Sequence, residues 1–377
     1  MAKEMPLSVD QFRNLIVRSG LLSDQEIQVK TYHLPSAEIE TADGLAHALV
    51  RESALTVYQA KHLLHGTYRG LLLDSYEIRD FLGRGGMGSV YLAWDRKYDR
   101  PCALKVLLPT KRAHRRSVLR FQREIEVSRR LNHTGIAATY SSGESNGVLY
   151  LAMEYVPGMT LYRWIKRRGP ATVYWASKWV GTIAEALHHA HLAGIIHRDI
   201  KASNIIVRPD GEAKLLDLGL ARWMEDDHNE REVLGHKRIV GSFDYIAPEQ
   251  AANSARADAR SDVYSLGCLL YFCLGKAAPF HHVKETRSKI IHHKTQDPDP
   301  IEKRRPDLPP GFALIISRMI AKDPEERYQS CEEVASILDY WRERTKPAEA
   351  PDLSLFRPVE EDAGEETATG GSGTEKE

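Results

Sequence analysis

The first part of the chain, residues 1–74, carries apolar side chains at the spacing of helix faces. Phe12, Leu15 and Ile16 form one such face, because residues three and four positions apart lie on the same side of a helix. The same spacing recurs further along, at Tyr58, Leu63 and Leu64.

Capping residues mark the helix boundaries in this segment. Ser8, Ser23 and Thr56 each precede a Gln or Glu by three positions. That is the arrangement of a capping box, in which two side chains satisfy unpaired amides at a helix start. Gly20 and Gly66 stand where helices would end. We therefore expect a small bundle of three or four helices, forming a separate N-terminal domain.

From Tyr76 onward the apolar period shortens to two, which is typical of β-strands. The predicted strands are residues 77–82, 89–94, 102–107 and 149–155, with one helix over 117–131. After Pro157 the pattern predicts helices over 173–193, 262–274, 311–321 and 331–344. These elements predict an α+β, two-lobed fold over residues 76–342, with a β-rich N-lobe (76–156) and an α-helical C-lobe (157–342). A ligand cleft between the lobes is expected.

The end of the chain has a different composition. Residues 346–377 are rich in Pro, Glu, Gly, Ser and Thr and nearly lack large apolar side chains. Such a segment buries too little apolar surface to offset the entropy of ordering. We predict a disordered acidic tail.

Charge and cysteine content exclude several classes of protein. The 52 basic and 52 acidic residues balance, so no chain-wide field favours nucleic acid or an anionic membrane. The longest apolar runs fall short of the ~20 residues of a membrane span, and no signal-peptide core follows the first residues. The cysteines lack metal-ligand or disulfide spacing. We expect a cytoplasmic protein with no nucleic-acid partner and no membrane span.

A candidate catalytic loop occupies residues 197–204, His-Arg-Asp-Ile-Lys-Ala-Ser-Asn. Phosphoryl transfer to a hydroxyl needs a carboxylate to accept the proton, a cation beside the migrating group and oxygen ligands for a metal. Asp199, Lys201 and Asn204 supply these groups, and Asp217, in Asp-Leu-Gly, supplies a second metal ligand. A His-Arg-Asp tripeptide alone is uninformative, but the complete string in this order predicts phosphoryl transfer.

A glycine-rich loop precedes the catalytic loop and is a candidate phosphate cradle. It comprises Leu82, Gly83, Arg84, Gly85, Gly86, Met87, Gly88, Ser89 and Val90. Without Cβ atoms, its backbone amides can approach phosphates closely. Dinucleotide-binding folds share this Gly-x-Gly-x-x-Gly pattern but continue directly into a helix. Here a strand-like run, 90–94, follows, which favours a hairpin over ATP.

Further candidate nucleotide contacts lie on the next strands and the helix between them. Lys105 lies among apolar residues, and a buried lysine requires an anionic partner. Glu124, on the predicted helix, would pair with it so that Lys105 grips the α- and β-phosphates; a solvent-facing lysine on an edge strand is the alternative. The backbone of Glu154 and Val156 would contact the adenine edge. The residues expected to sandwich the adenine ring are Val90, Ala103 and Ile206.

Taken together, residues 76–342 resemble a eukaryotic-type protein kinase domain of the bacterial serine/threonine class. The motifs occur in family order, ending with Ala247-Pro248-Glu249, the Asp262 run and Arg327, which the resemblance pairs with Glu249. The resemblance implies transfer of the γ-phosphoryl group of MgATP to serine or threonine residues of protein substrates. It also implies autophosphorylation, and Mn²⁺ could take the place of Mg²⁺. Residues 1–74 hold no catalytic group and are expected to dock a partner, dimerise or regulate.

Two residues depart from the family pattern. Leu218 replaces a usual phenylalanine and Ala202 a usual proline, and neither position carries a chemical group of the reaction. Three alternatives stay open at this point. They are a pseudokinase that binds ATP without transfer, a kinase of small molecules, and a non-catalytic scaffold.

The segment between Asp217 and Ser242 contains no serine, threonine or tyrosine. We therefore predict that phosphatase treatment of the protein leaves its activity unchanged, because no phosphate in this segment is available to order it. Glu230 and Glu232 would instead pair with Arg198 or Arg222, so Glu230→Ala and Glu232→Ala are expected to lower activity. Loss of activity after dephosphorylation, with both Glu variants equal to wild type, would contradict this prediction.

Overall fold

The computed structural model describes residues 7–85, 88–107, 115–216, 222–223 and 243–348. Its contacts divide the chain into two units, Met1–His114 with Thr139–Tyr155, and Arg115–Ala138 with Val156–Glu377. The predicted tail after Ala348 and the segment 224–242 lie outside the described residues. Among the described residues, no helix has both the length and the apolar composition that a membrane crossing requires.

The first unit begins with short helices that start at the predicted caps. These are α1 (Val9–Ser19), α2 (Asp24–Thr31), α3 (Ala42–Arg51) and α4 (Val57–Leu64), with a 3-10 turn at Ser36–Glu38. Ser8, Ser23 and Thr56 each form a complete capping box, and α1 ends at Gly20 in the left-handed conformation. The predicted helix starts are therefore confirmed. The side chains that form the core between these helices are apolar, and those that are fully buried include Phe12, Ile16, Ile27, Leu49 and Leu63.

An antiparallel sheet completes the first unit. Its strands are β1 (Leu72–Leu73), β2 (Tyr76–Arg84), β3 (Gly88–Asp95), β4 (Arg100–Leu107), β5 (Thr139–Ser145) and β6 (Val148–Glu154), in the order β1-β2-β3-β4-β6-β5. The four predicted strands are confirmed, the first three with slightly wider bounds and the fourth shifted by one residue. The strands β1 and β5, which were not predicted from the sequence, lie at the two edges of the sheet. Edge strands need not alternate apolar and polar residues, and the sequence of β5, Thr-Tyr-Ser-Ser-Gly-Glu-Ser, does not.

The second unit is mainly helical. Its helices are α5 (Arg115–Arg130), α6 (Leu161–Arg168), α7 (Val173–Leu192), α8 (Pro248–Ala252), α9 (Ala259–Gly275), α10 (Thr286–Thr295), α11 (Phe312–Met319) and α12 (Cys331–Arg344). A three-stranded and a two-stranded antiparallel sheet, both of short strands, accompany them. Their strands are β7 (Met159–Thr160), β8 (Ile195–Ile196), β9 (Ile205–Val207), β10 (Ala213–Leu215) and β11 (Arg222–Trp223). The predicted fold class, a strand-rich part followed by a helical part, is confirmed.

Helix α9 lies at the centre of the second unit's core. Fourteen consecutive residues, from Ser261 to Leu274, are buried, which is why the helix is apolar on every side. It packs with α7, α11 and α12 around large side chains such as Trp179 and Tyr264. This core supports the loop that connects β8 and β9.

The close approach of α9 to α11 depends on Gly267. A Cβ at this position would lie 2.6 Å from Ile320 Cγ2 and 2.7 Å from Met319 Cβ. We expect Gly267→Ala to lower the free energy of unfolding by about 1–3 kcal/mol through overpacking. Urea denaturation of the full chain measures the change.

Gly181→Ala, in α7, provides the matched control. The added Cβ would meet only Leu338 Cβ at 3.6 Å, an ordinary contact. Alanine should therefore stabilise this helix by up to about 1 kcal/mol. Equal effects of the two substitutions would contradict the packing argument.

Candidate active site

The candidate catalytic loop follows β8 and ends in a 3-10 turn, Ala202–Asn204. Asp199 is buried, and Lys201 Nζ donates a hydrogen bond of 2.6 Å to its Oδ2. The loop therefore brings the predicted carboxylate and cation into direct contact. A carboxylate held in this way is oriented as a general base requires, with a positive charge beside it.

Asn204 is oriented by two further hydrogen bonds in the same loop. Its side-chain Nδ2 donates to the Asp199 carbonyl oxygen at 3.2 Å, and its backbone amide donates to the Lys201 carbonyl oxygen at 3.0 Å. Because the amide nitrogen is engaged with Asp199, the amide oxygen points away from that bond and is suited to a hard divalent cation. Asp217, the second predicted metal ligand, lies outside the described residues.

A fully buried carboxylate, Asp262 on α9, fixes the backbone of the catalytic loop. Its oxygens accept hydrogen bonds of 2.9 Å from the amides of His197 and Arg198, and His191 Nε2 lies 2.8 Å from Oδ2. Burial alone would raise the pKa of Asp262, but the hydrogen bond and charge of His191 and the His197 amide outweigh it and lower the pKa. The carboxylate therefore stays ionised and holds the residues just before Asp199.

The backbone at Arg198 adopts the left-handed conformation, with φ of 68°. A non-glycine residue in this region is strained, at a cost of about 1–3 kcal/mol. Gln250, on α8, donates from Nε2 to the Arg198 carbonyl oxygen at 2.8 Å, and Arg198 Nη2 donates to the Ser254 carbonyl oxygen at 2.7 Å. Gln250 was not among the residues predicted from the sequence. Its only signal was a long polar side chain directly after the Ala-Pro-Glu motif.

The predicted pair of Glu249 and Arg327 is confirmed. Two parallel hydrogen bonds of 2.8 and 2.9 Å join the guanidinium to the carboxylate, the bidentate geometry that favours arginine. Arg327 is fully buried and also donates to the carbonyl oxygens of Ala321, Lys322 and Arg260. This pair ties α8, which carries Gln250, to the segment before α12.

In the first unit, the glycine-rich loop connects β2 and β3. Gly83 faces Val90 and Arg84 faces Ser89 in the strand register, so the loop is a hairpin, as predicted, and not a strand-to-helix turn. A Cβ at Gly88 would lie 2.1 Å from the Val106 carbonyl oxygen, so only glycine fits against β4 there. Gly86 and Met87 lie outside the described residues.

Lys105 lies on β4, which has β3 on one side and β6 on the other. The residue is only 6% exposed, so the alternative of a solvent-facing lysine on an edge strand is wrong. Ala103 is buried on the same strand, and Glu154 is the last residue of β6. In the second unit, Glu124 is 3% exposed on α5, Val156 is buried and Ile206 is half-buried on β9. The pairing of Lys105 with Glu124 stays a prediction.

Comparison with known proteins settles the family. The protein kinase domain family matches residues 76–337, well over half of the chain. This chain belongs to the protein kinase family. The match begins at the first residue of β2, so the helices α1 to α4 precede it.

Several bacterial kinases are similar to this chain. The serine/threonine-protein kinase PknB of Mycolicibacterium smegmatis is 37% identical over 286 residues, which cover 74% of this chain and 44% of the relative. PknB of Mycobacterium tuberculosis is 38% identical over 271 residues, with coverages of 71% and 43%. Pkn3 of Myxococcus xanthus is 34% identical over 287 residues, with coverages of 73% and 52%. The predicted resemblance to the bacterial serine/threonine class is confirmed, although the chain spans only 43–52% of the length of these relatives.

A solved structure supports the same assignment. The crystal structure of the kinase domain of Mycobacterium tuberculosis PknI is 30% identical, with a TM-score of 0.56, and the match covers 72% of this chain and 98% of that domain. The predicted kinase fold, with a β-sheet N-lobe and a helical C-lobe, is therefore confirmed.

The buried pair of Glu249 and Arg327 generates a stability prediction. We expect Arg327→Ala to lower the free energy of unfolding by about 3–5 kcal/mol, because the Glu249 carboxylate loses its buried partner. Arg342→Ala is the control. Arg342 pairs with the exposed carboxylates of Asp339 and Glu343, and its loss should cost no more than about 1 kcal/mol. Urea denaturation compares them, and similar losses would contradict the prediction.

Proposed function

We propose that this protein is a serine/threonine protein kinase that transfers the γ-phosphoryl group of ATP to hydroxyls of protein substrates, itself included. The contact between Asp199 and Lys201, in a loop held by the buried Asp262, carries this proposal. A loop fixed in this way places its reacting groups before the substrate arrives, which is what phosphoryl transfer asks of the protein.

Asp199 acts on the acceptor in the proposed reaction. Its carboxylate orients the substrate hydroxyl and accepts the proton as the hydroxyl oxygen bonds to the γ-phosphorus and the bond to ADP breaks. Lys201, 2.6 Å from Asp199 Oδ2, offsets negative charge on the migrating group. The presence of both groups favours a kinase over a pseudokinase or a scaffold.

The nucleotide is proposed to bind to the residues that the sequence predicted for it. The amides of residues 82–90 would contact the phosphates. Lys105, which is buried, would pair with Glu124 and hold the α- and β-phosphates. The backbone of Glu154 and Val156 would bind the adenine edge, and the side chains proposed to enclose the ring are those of Val90, Ala103 and Ile206. The fit of Gly88 against β4 supports this assignment, since a side chain there would displace the loop.

Protein kinases use ATP together with a divalent metal ion. We propose Mg²⁺ as that ion, with Mn²⁺ as the alternative, and Asn204 and Asp217 as its protein ligands. The orientation of the Asn204 amide fits this function, because its nitrogen is engaged with the Asp199 carbonyl oxygen. The ion would neutralise charge on the phosphates and align them.

Location and partners follow from the same proposal. Cys102, Cys268, Cys273 and Cys331 are buried free thiols, which supports a reducing, cytoplasmic compartment. Proteins with accessible serine or threonine would be the substrates.

Docking of a partner or dimerisation through the N-terminal helices stays a proposal. Its candidate contacts are Val29 on α2 and Tyr32 at the C-cap of this helix, two exposed apolar residues that lie beside each other.

Asp199→Ala is expected to reduce phosphoryl transfer by about 10²- to 10⁴-fold, because general-base assistance is lost. The assay incubates the purified full chain with labelled ATP, Mg²⁺ and a generic protein substrate, followed by mapping of the phosphorylated residues. Asp210→Ala is the control, since Asp210 pairs with Arg208 in the β9–β10 turn and should leave activity unchanged. A wild-type chain that transfers no label, or labels only tyrosine or small molecules, would refute the proposed function.

A further inference from the structure

The amino-terminal end of α4 is joined by side chains to the backbone of β2. Thr56 Oγ1 donates a hydrogen bond of 2.7 Å to the Arg79 carbonyl oxygen. Gln59 Nε2 donates to the Ile78 carbonyl oxygen at 2.8 Å and to Glu77 Oε1 at 3.1 Å. Gln59 is 1% exposed, so these bonds are sheltered from water and costly to lose. Both residues also form the capping box of α4, and each therefore serves the helix and the sheet.

These bonds meet β2 where the sheet leaves it incompletely paired. β1 pairs with Tyr76 and Glu77, and the Ile78 amide still donates to the Leu71 carbonyl oxygen, just before β1, at 2.9 Å. Beyond that point, no strand among the described residues pairs with β2 on this side. On the other side, Ile78 faces Ala93 and Asp80 faces Leu92, which leaves Arg79 in a bulge without an opposite residue. Side chains of α4 thus satisfy carbonyl groups that a strand would otherwise bind, and they fix the bulge in place.

A second attachment lies at the far end of β3. Arg96, the residue after this strand, donates to the carbonyl oxygens of Gly20 and Leu21 at 3.0 and 2.9 Å. Its Nε donates to Glu77 Oε2 at 3.0 Å. The Glu77 carboxylate therefore accepts hydrogen bonds from both Gln59 and Arg96. Through these bonds it links the end of α1 and the start of α4 to both strands of the hairpin.

Aromatic side chains extend this attachment toward the glycine-rich loop. The ring of Tyr58, on α4, lies edge-on to Tyr91 of β3, with centroids 6.4 Å apart. Tyr91 in turn contacts Phe81 of β2, at 5.6 Å. Burial raises the pKa of Tyr58 to about 12. The next cross-strand pair after Phe81 and Tyr91 is Gly83 with Val90, the first pair of the loop itself.

We infer that the N-terminal helices are a brace for the β2–β3 hairpin, and that Thr56, Gln59 and Arg96 are positioning residues for nucleotide binding. This inference rests on the proposed function, because it assigns the hairpin's loop to ATP. A hairpin that samples other registers presents its amides to the phosphates for only part of the time. Apparent affinity falls in proportion to that fraction. The chemical step depends on Asp199 and its neighbours in the other unit and should not change.

A competing explanation is that Thr56 and Gln59 merely cap α4. The chain offers a matched control, because Thr41 is the N-cap of α3. Within the described part of the chain, its hydroxyl bonds only to the Gly44 amide, from which it accepts at 3.0 Å. Thr41→Val therefore removes a threonine cap from the same group of helices without touching the sheet. Thr56→Val removes a cap of the same kind together with the bond to Arg79. A capping function alone would make the two variants alike.

The test measures KM for ATP, kcat and melting temperature on the full chain for wild type, Thr56→Val, Gln59→Leu and Thr41→Val. We expect Thr56→Val to raise KM for ATP about 3- to 10-fold, from loss of its hydrogen bond to the Arg79 carbonyl oxygen. Gln59→Leu should raise it at least as much, because its bond to the Ile78 carbonyl oxygen is buried. For both, kcat should stay within about twofold of wild type, since the catalytic loop is untouched. Thr41→Val should also lower the melting temperature, by less than Thr56→Val, which loses one more bond, yet leave KM for ATP unchanged. Thr56→Ser keeps the hydroxyl and should restore the wild-type KM.

Equal KM values for Thr56→Val, Thr41→Val and wild type would overturn the inference, as would a loss confined to kcat. Should Gln59→Leu fail to fold, Thr56→Val and its serine counterpart still decide the matter. Failure of the proposed function is distinct from either result, because the wild-type chain would then transfer no phosphate at all.

Discussion

The carboxylate of Asp262 is the group on which the candidate active site depends. It is fully buried in an apolar helix, where a charge without partners would be strongly destabilising. Its partners are the amides of His197 and Arg198 and the imidazole of His191. Satisfying this one charge fixes the backbone that leads into Asp199, so the catalytic loop takes its shape from the core of the second unit.

The same physical rule recurs at other buried polar side chains near the functional segments. Gln250 binds the carbonyl group of the strained Arg198, and Arg327 binds Glu249 in the neighbouring helix. In the first unit, Gln59 binds the carbonyl group of Ile78 on β2. Buried polar groups with a complete set of partners add geometric definition more than net stability. They lie where a loop must hold one shape before a ligand binds.

The two units divide the proposed functions between them. The catalytic loop and its supports belong to the helical unit, and the glycine-rich hairpin and Lys105 belong to the sheet-containing unit. The helices α1 to α4 lie before the residues that match the kinase family, yet they share side-chain hydrogen bonds and aromatic contacts with the hairpin strands. The contribution that we infer for these helices therefore concerns nucleotide binding and not the acceptor.

Local patterns in the sequence were sufficient to predict the family, the residues at which the N-terminal helices begin, and the four main strands of the sheet. A capping box spans three residues and an amphipathic face spans a few turns, and the catalytic loop is one continuous string. The contacts of Asp262, Gln250 and Gln59 join residues 64, 52 and 19 positions apart, and nothing local marks such pairs. Edge strands β1 and β5 likewise depend on the neighbour that they meet. Which buried polar group satisfies which distant backbone atom was decided only when the chain folded, because that choice depends on tertiary packing.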